Sequence, residues 1–391
     1  MAELLSFLIV ISAGLFLSEF LKKFHMPYVV ALILTGIIIG PFALDLIVID
    51  ETIDFLGSIG LVFLMFMAGL EIKLSSFRKI VGSAAKFSLL NGILPMCVGF
   101  LVASYLGYGL VGSFMLGIIF VSSSIAIVLP VMESQGLLHL KLGRLIVSGT
   151  ILEDVFSLVM LSFFLQLVNP TTEIPLYLFY IIVAISLYAL RKLLPRAREA
   201  FRKFHGEEKP LFEEEVRFVF VALIATVVFF DILGMHPVIA GFFAGLVLSE
   251  SIQSQILMRK LHAISYGLFI PVFFIIIGVE MDVGVLFNGG EGLSIILIVL
   301  AAAVLSKFIG GFLAGRVNGF NSKESIISGV ATIPQLSTTL AVAFVGLELG
   351  LIDDMLITAM IVLSIATTFC GPILVKLLSE PMTGKESPES Q

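Results

Sequence analysis

Tryptophan is absent from this chain of 391 residues, and cysteine occurs only twice. Without Trp, any anchoring at a membrane interface falls to Phe and Tyr. Cys97 and Cys370 both lie within long apolar runs, which excludes a disulfide framework. Charge is scarce too. Charged residues make up 13% of the chain, against roughly 25% in soluble domains. With 59% of residues hydrophobic, a soluble core could not hide the apolar surface, so the bilayer must be the solvent. The net charge of −6 is spread unevenly along the chain and implies no nucleic-acid partner. The opening run Leu4 to Leu17 follows Glu3 with no basic leader or small-residue cleavage site, so it reads as a first span and not a removable signal.

What is present is a series of apolar runs of about 20 residues, the length that crosses a bilayer. Thirteen candidate spans fall at 4–21, 28–44, 53–71, 83–106, 112–132, 143–168, 174–193, 216–232, 236–251, 264–283, 292–315, 325–348 and 355–378. Alternate gaps carry all the Lys and Arg except Lys307, including Lys73, Arg78 and Lys79 in one and Arg191 to Arg217 in another. The intervening gaps carry only acids, such as Asp45, Asp50, Glu51, Asp353 and Asp354. The positive-inside rule then places the N-terminus outside and the C-terminus in the cytoplasm. The basic stretch Arg191 to Arg217 suits contact with anionic lipid.

The chain repeats itself. A shift of 209 residues puts Met26 on Met235, Ala31 on Ala240, Gly36 on Gly245, Gly69 on Gly278 and Glu71 on Glu280. A shift of 215 matches Ser123-Ser124-Ile125-Ala126-Ile127 with Thr338-Thr339-Leu340-Ala341-Val342. The expected organisation is a first repeat over 1–173, a linker span and basic cytoplasmic loop over 174–215, a second repeat over 216–379, and a polar cytoplasmic tail over 380–391. Seven spans separate equivalents, so the two repeats enter the membrane in opposite directions, the plan of many secondary transporters. Gly36-x-x-x-Gly40 suits close helix packing and a dimer face.

Charges inside these spans carry the functional signal. Glu153 and Asp154 sit adjacent in the middle of one span, and Lys307 alone in the middle of another. Each costs roughly 2.5–3.5 kcal/mol at the bilayer centre, so such groups persist where they face protein or a water-filled path. Successive helix residues point about 100° apart, so one acid can face a cavity while its neighbour faces another helix. Two such acids titrate as one coupled unit. A carboxylate that holds either a cation or a proton, opened to one side at a time, suffices for antiport. A purely structural ion pair with Lys307 is the bland alternative, but it leaves the second acid without a partner. Two other spans look irregular: Val121-Ser122-Ser123-Ser124 running to Pro130, and Ala331-Thr332-Ile333-Pro334-Gln335-Leu336-Ser337. Proline removes a backbone donor, and hydroxyls offer replacement bonds where a helix opens. Pro130, Pro334, Gln335 and Ser337 therefore mark two expected breaks. Simple close packing of small residues is the alternative reading. Glu71 and Glu280 read as solvated span ends, and the five histidines, among them His25 and His205, fall in or beside loops.

Taken in order, these features resemble the monovalent cation:proton antiporter-2 family, which includes NapA-type Na+/H+ antiporters and the membrane part of Kef-type potassium systems, and more distantly the NhaA fold. The resemblance covers essentially the whole chain. It implies an all-α membrane protein with two inverted repeats and two crossed, unwound helices. By transfer, Asp154 resembles the ion- and proton-binding carboxylate, Glu153 the position paired with a membrane lysine, Lys307 that lysine, and Ser123 and Ser124 the hydroxyl pair near the ion. Two departures stand out. Glu occupies 153 where electrogenic relatives have Asp, and Gln335-Leu336-Ser337 replaces an acidic segment found in many relatives. No Kef-type nucleotide-binding tail with G-x-G-x-x-G is expected. The expectation is an antiporter exchanging Na+, Li+ or K+ for H+, electrogenic, homodimeric, with no cofactor, no enzymatic activity and no metal beyond the transported cation. The alternatives are a K+/H+ antiporter or gated potassium efflux system of Kef type, and an organic-anion symporter, against which the acids argue.

Overall fold

The computed structural model describes residues 2–23, 28–47, 49–72, 81–168, 170, 174–204, 212–249, 252, 254–281, 284 and 291–383. The expectations for Lys73, Arg78, Lys79, His25 and His205, and for 384–391 of the tail, lie outside the described residues. Within them the chain is helical, without strands. The helices are α1 (Ala2–Lys22), α2 (Tyr28–Ile39), α3 (Glu51–Glu71), α4 (Val81–Tyr105), α5 (Leu110–Val121), α6 (Ile125–Ser134), α7 (Lys141–Val168), α8 (Leu176–Phe204), α9 (Phe212–Ile232), α10 (Pro237–Leu248), α11 (Gln255–Ile264), α12 (Ile270–Glu280), α13 (Glu291–Val317), α14 (Ser322–Ala331), α15 (Ser337–Glu348) and α16 (Asp354–Thr383). A π-helical turn, Ser265–Phe269, joins α11 to α12.

Each of the thirteen expected spans falls on helix, and nine stretches among the described residues are long and apolar enough to cross a membrane. The other four are α2, α9, α10 and the divided pair α14–α15. Polar residues at the helix starts stop and start the chain. Asp50 accepts the Ile53 amide at the head of α3, Asn321 and Glu324 form a reciprocal capping box at α14, and Asp353 accepts the Leu356 amide at α16. Such caps satisfy amides that the first helical turn leaves without partners.

Element boundaries repeat as well as residues do. The end of α1 at 22 recurs as the end of α9 at 232, and the end of α2 at 39 as the end of α10 at 248. The compact units, however, do not follow the repeats. One comprises Met1–Leu21, Ala31–Ser76 and Ser162–Glu280, the other Lys22–Val30, Phe77–Leu161 and Met281–Gln391. Each therefore draws on both halves of the sequence.

In the first unit α3 packs against α10 and α12. Two glycine crossings bring backbones together. A Cβ on Gly36 would strike Ile275 O and lie 2.9 Å from Gly278 Cα, while one on Gly245 would strike Phe66 O and lie 3.0 Å from Gly69 Cα. Exchanging repeat equivalents turns the first crossing into the second. Gly40 meets Val279 in the same way. The Gly36-x-x-x-Gly40 face is thus occupied within the chain, which corrects its reading as a dimer face. In the second unit α13 packs against α4, α14 and α16, and α5 against α4 and α15.

Candidate functional site

The two interrupted spans of the second unit meet through their breaks. Between α5 and α6, Ser122 (φ −76°, ψ 145°) and Ser124 (φ −75°, ψ 106°) are extended. Between α14 and α15, residues 333–336 leave the helix. The Ser124 amide donates to Pro334 O at 2.7 Å, Ser123 Oγ donates to Thr332 O at 2.9 Å, and Gln335 Nε2 reaches Phe120 O at 3.5 Å. Each break thus supplies partners that the other lost, so irregular backbone is tolerated at depth. Pro334 and Gln335 lie in the non-helical stretch 333–336, and Ser337 opens α15. Pro130 does not lie in the first. It sits inside α6 at an exposed position, six residues beyond Ser124. The serines already divide the span before it, and α6 continues past the proline with one backbone bond fewer.

Glu153, Asp154 and Lys307 are brought together there. Glu153 and Lys307 are fully buried and Asp154 nearly so. Lys307 Nζ lies 2.9 Å from Glu153 Oε2 and donates also to Asn91 O at 3.2 Å and to Val121 O. The second acceptor is the last residue of α5, whose carbonyl the break leaves free. Ser123 Oγ lies 2.8 Å from Glu153 Oε2, and Asn91 Nδ2 donates to Glu153 Oε1 at 2.8 Å. Both oxygens of Glu153 are thereby engaged.

Asp154 faces a different set. Ser122 Oγ donates to its Oδ1 at 2.5 Å, and Thr338 also faces the carboxylate. These are oxygen-bearing groups beside an acid, the hard donors that suit an alkali-metal cation in place of a proton. Ser124, expected as one of a hydroxyl pair near the ion, holds its chain partner through the amide, while its buried hydroxyl has no partner among the described residues. Gln335 is fully buried, its backbone N–H donating to Thr367 Oγ1 at 3.2 Å.

Two participants escaped sequence reasoning, Asn91 and Ser122. Asn91 is a lone carboxamide in the apolar span α4, and that isolation was its signal. Room for it comes from α13: a Cβ on Gly310, one turn after Lys307, would lie 2.9 Å from Asn91 Oδ1. Ser122 was masked by its neighbours, since three consecutive serines give no indication of which points to which acid.

A family profile described as sodium/hydrogen exchanger, transmembrane, matches residues 6–380. The chain is 33% identical over 376 residues to a protein named "Probable Na(+)/H(+) antiporter 3" from Methanocaldococcus jannaschii, covering 95% of each. It is 24% identical over 371 residues to a Na+/H+ antiporter from Enterococcus hirae, covering 93% of this chain and 94% of that one. Its fold is similar to a solved structure of the sodium proton antiporter MjNhaP1 from Methanocaldococcus jannaschii, with a TM-score of 0.73 at 17% identity, over 98% of this chain and 100% of the other.

Proposed function

The chain belongs to the sodium/hydrogen exchanger family, and on that premise we propose that it exchanges Na+ for H+ across a prokaryotic plasma membrane, with Asp154 as the group that holds either ion. The observation that carries this reading is the division of labour between adjacent acids: Glu153 is engaged by Lys307, Asn91 and Ser123, while Asp154 meets hydroxyls. Alternating access between inverted repeats would open this acid to one side at a time. The antiporter names of the two relatives favour sodium over the potassium-efflux alternative of Kef type. Li+ and K+ remain substrates to be compared with Na+.

Finer features belong to the same proposal. The acid at 153 paired with Lys307 supports the cation:proton antiporter-2 branch and an electrogenic cycle, because the pair supplies a second protonatable site. The N-terminus lies outside, the C-terminus in the cytoplasm, and the functional form is a homodimer in lipid. The test is proton movement in sealed vesicles on addition of Na+, Li+ or K+. Wild-type protein should respond, and Asp154→Asn should be folded and silent. Exchange at the wild-type rate in that variant would overturn the assignment. Membrane current after a sodium jump tests electrogenicity. Exchange without current would leave the ion assignment standing and remove the second proton.

A further inference from the structure

Lys307 is surrounded by a complete set of acceptors. An ammonium has three N–H donors, and Nζ here has three partners: Asn91 O, Val121 O and Glu153 Oε2. No donor is left for Asp154, although Lys307 is close enough to act on its charge. The arrangement holds only while the Glu153 carboxylate stays where it is. Its Oε2 accepts from Lys307, with Ser123 Oγ 2.8 Å away sharing its one proton between this oxygen and Thr332 O, and its Oε1 is fixed by the Asn91 amide. Asn91 thus acts twice in one place, through its backbone oxygen on the lysine and its side chain on the acid. Gly310 keeps the space in which the carboxamide lies.

We infer that Asn91 is a positioning residue that keeps the Lys307 ammonium on Glu153 and off Asp154, leaving Asp154 open to the transported cation. This rests on the reading of Asp154 as the exchange group. Without the Asn91 amide, Glu153 loses the bond that fixes its rotamer, and the ammonium gains a second anion within reach on the same helix. Lys307 then competes with Na+ for Asp154. The effect is on cation affinity and not on the turnover of the loaded carrier. Loss of one charge-assisted hydrogen bond corresponds to a change of about tenfold or more in the equilibrium between the two pairings.

The experiment uses the full-length protein in detergent and in vesicles, with Na+ as the probe. Asn91→Ala and the space-filling Asn91→Leu should each raise the KM for Na+ about tenfold, with the maximal rate within about twofold of wild type. The Na+ concentration giving half the thermal stabilisation of the purified protein should rise in parallel. Asn91→Gln, which retains the amide, should restore much of the affinity, whereas equal weakening in Gln and Leu variants would overturn the inference. In a Lys307→Ala background, read by thermal stabilisation alone, adding Asn91→Ala should change Na+ affinity less than twofold, and an undiminished change would overturn it. An unaltered KM in Asn91→Ala and Asn91→Leu, with Asp154→Asn inactive, would overturn this inference alone. Retained exchange in Asp154→Asn would instead remove the reading beneath it.

Discussion

Lys307 and Glu153 form an ion pair of 2.9 Å between two fully buried side chains, across a sequence separation of 154 residues. Taking both charges out of water is costly, and their attraction offsets this only because each has further hydrogen-bond partners.

Removing one partner strands the other. Glu153→Gln or Lys307→Ala should each destabilise by about 3–5 kcal/mol. The double variant should lose less than the sum, since neither charge is then left alone. Thermal melting of the three variants against wild type measures the coupling. Strictly additive losses would show that the two side chains do not act as a pair.

Ser122 and Ser124 should behave differently despite identical chemistry. Ser122 Oγ donates to Asp154 directly, while the Ser124 hydroxyl has no hydrogen-bond partner among the described residues. Ser122→Ala should raise the KM for Na+ about tenfold, the weight of a bond to a charged acceptor. Ser124→Ala should stay within about twofold, because its structural bond is made by the amide. The reverse ranking would mean that Ser124 supplies the ion ligand.

The glycine crossings predict matched sensitivities at positions far apart in sequence. Gly36→Ala and Gly245→Ala both push a methyl group into backbone, and overpacking of this kind costs about 1–3 kcal/mol. Melting temperatures of the two variants should fall by similar amounts. Gly82→Ala, where nothing lies within 4 Å of the added atom, should instead be neutral or stabilising by up to about 1 kcal/mol through helix propensity. A similar fall in all three would assign the effect to helix flexibility and not to the crossings.

Tyr108 gives a pH dependence with a definite sign. Its hydroxyl donates to both oxygens of Asp353 at 2.8 Å, and burial together with that carboxylate pushes it well above its ordinary value. A group raised on folding contributes its full stability below its unfolded value, here about 10, and loses it as pH rises further. The difference in melting temperature between wild type and Tyr108→Phe should therefore be constant from about pH 6 to 9 and narrow above about 10. A gap that widened with pH would contradict the contact.

Span positions were legible because charge in a membrane protein is confined to the ends of its helices, with Lys307 and the Glu153–Asp154 pair as conspicuous exceptions. The close crossings were legible at Gly36 and Gly69 because close approach admits one residue type only. The first break was harder. Proline is the strongest sequence sign of an interrupted helix, so Pro130 drew attention from the serines that leave the helix. Asn91 was harder still, because a single polar residue creates no period and its role depends on where Lys307 arrives from elsewhere in the chain. The same applies to the compact units. Their membership is decided by packing among distant segments, which local hydrophobicity does not encode.

The bond from the Ser124 amide to the Pro334 carbonyl contains no side-chain atom. Ordinary substitution at either position leaves it in place, and only proline at 124 would delete the donor. The join between the crossed segments is thereby insulated from the residues around it. Hydroxyls and amides around the proposed exchange acid can be exchanged one by one during divergence, while the scaffold that presents them keeps its shape.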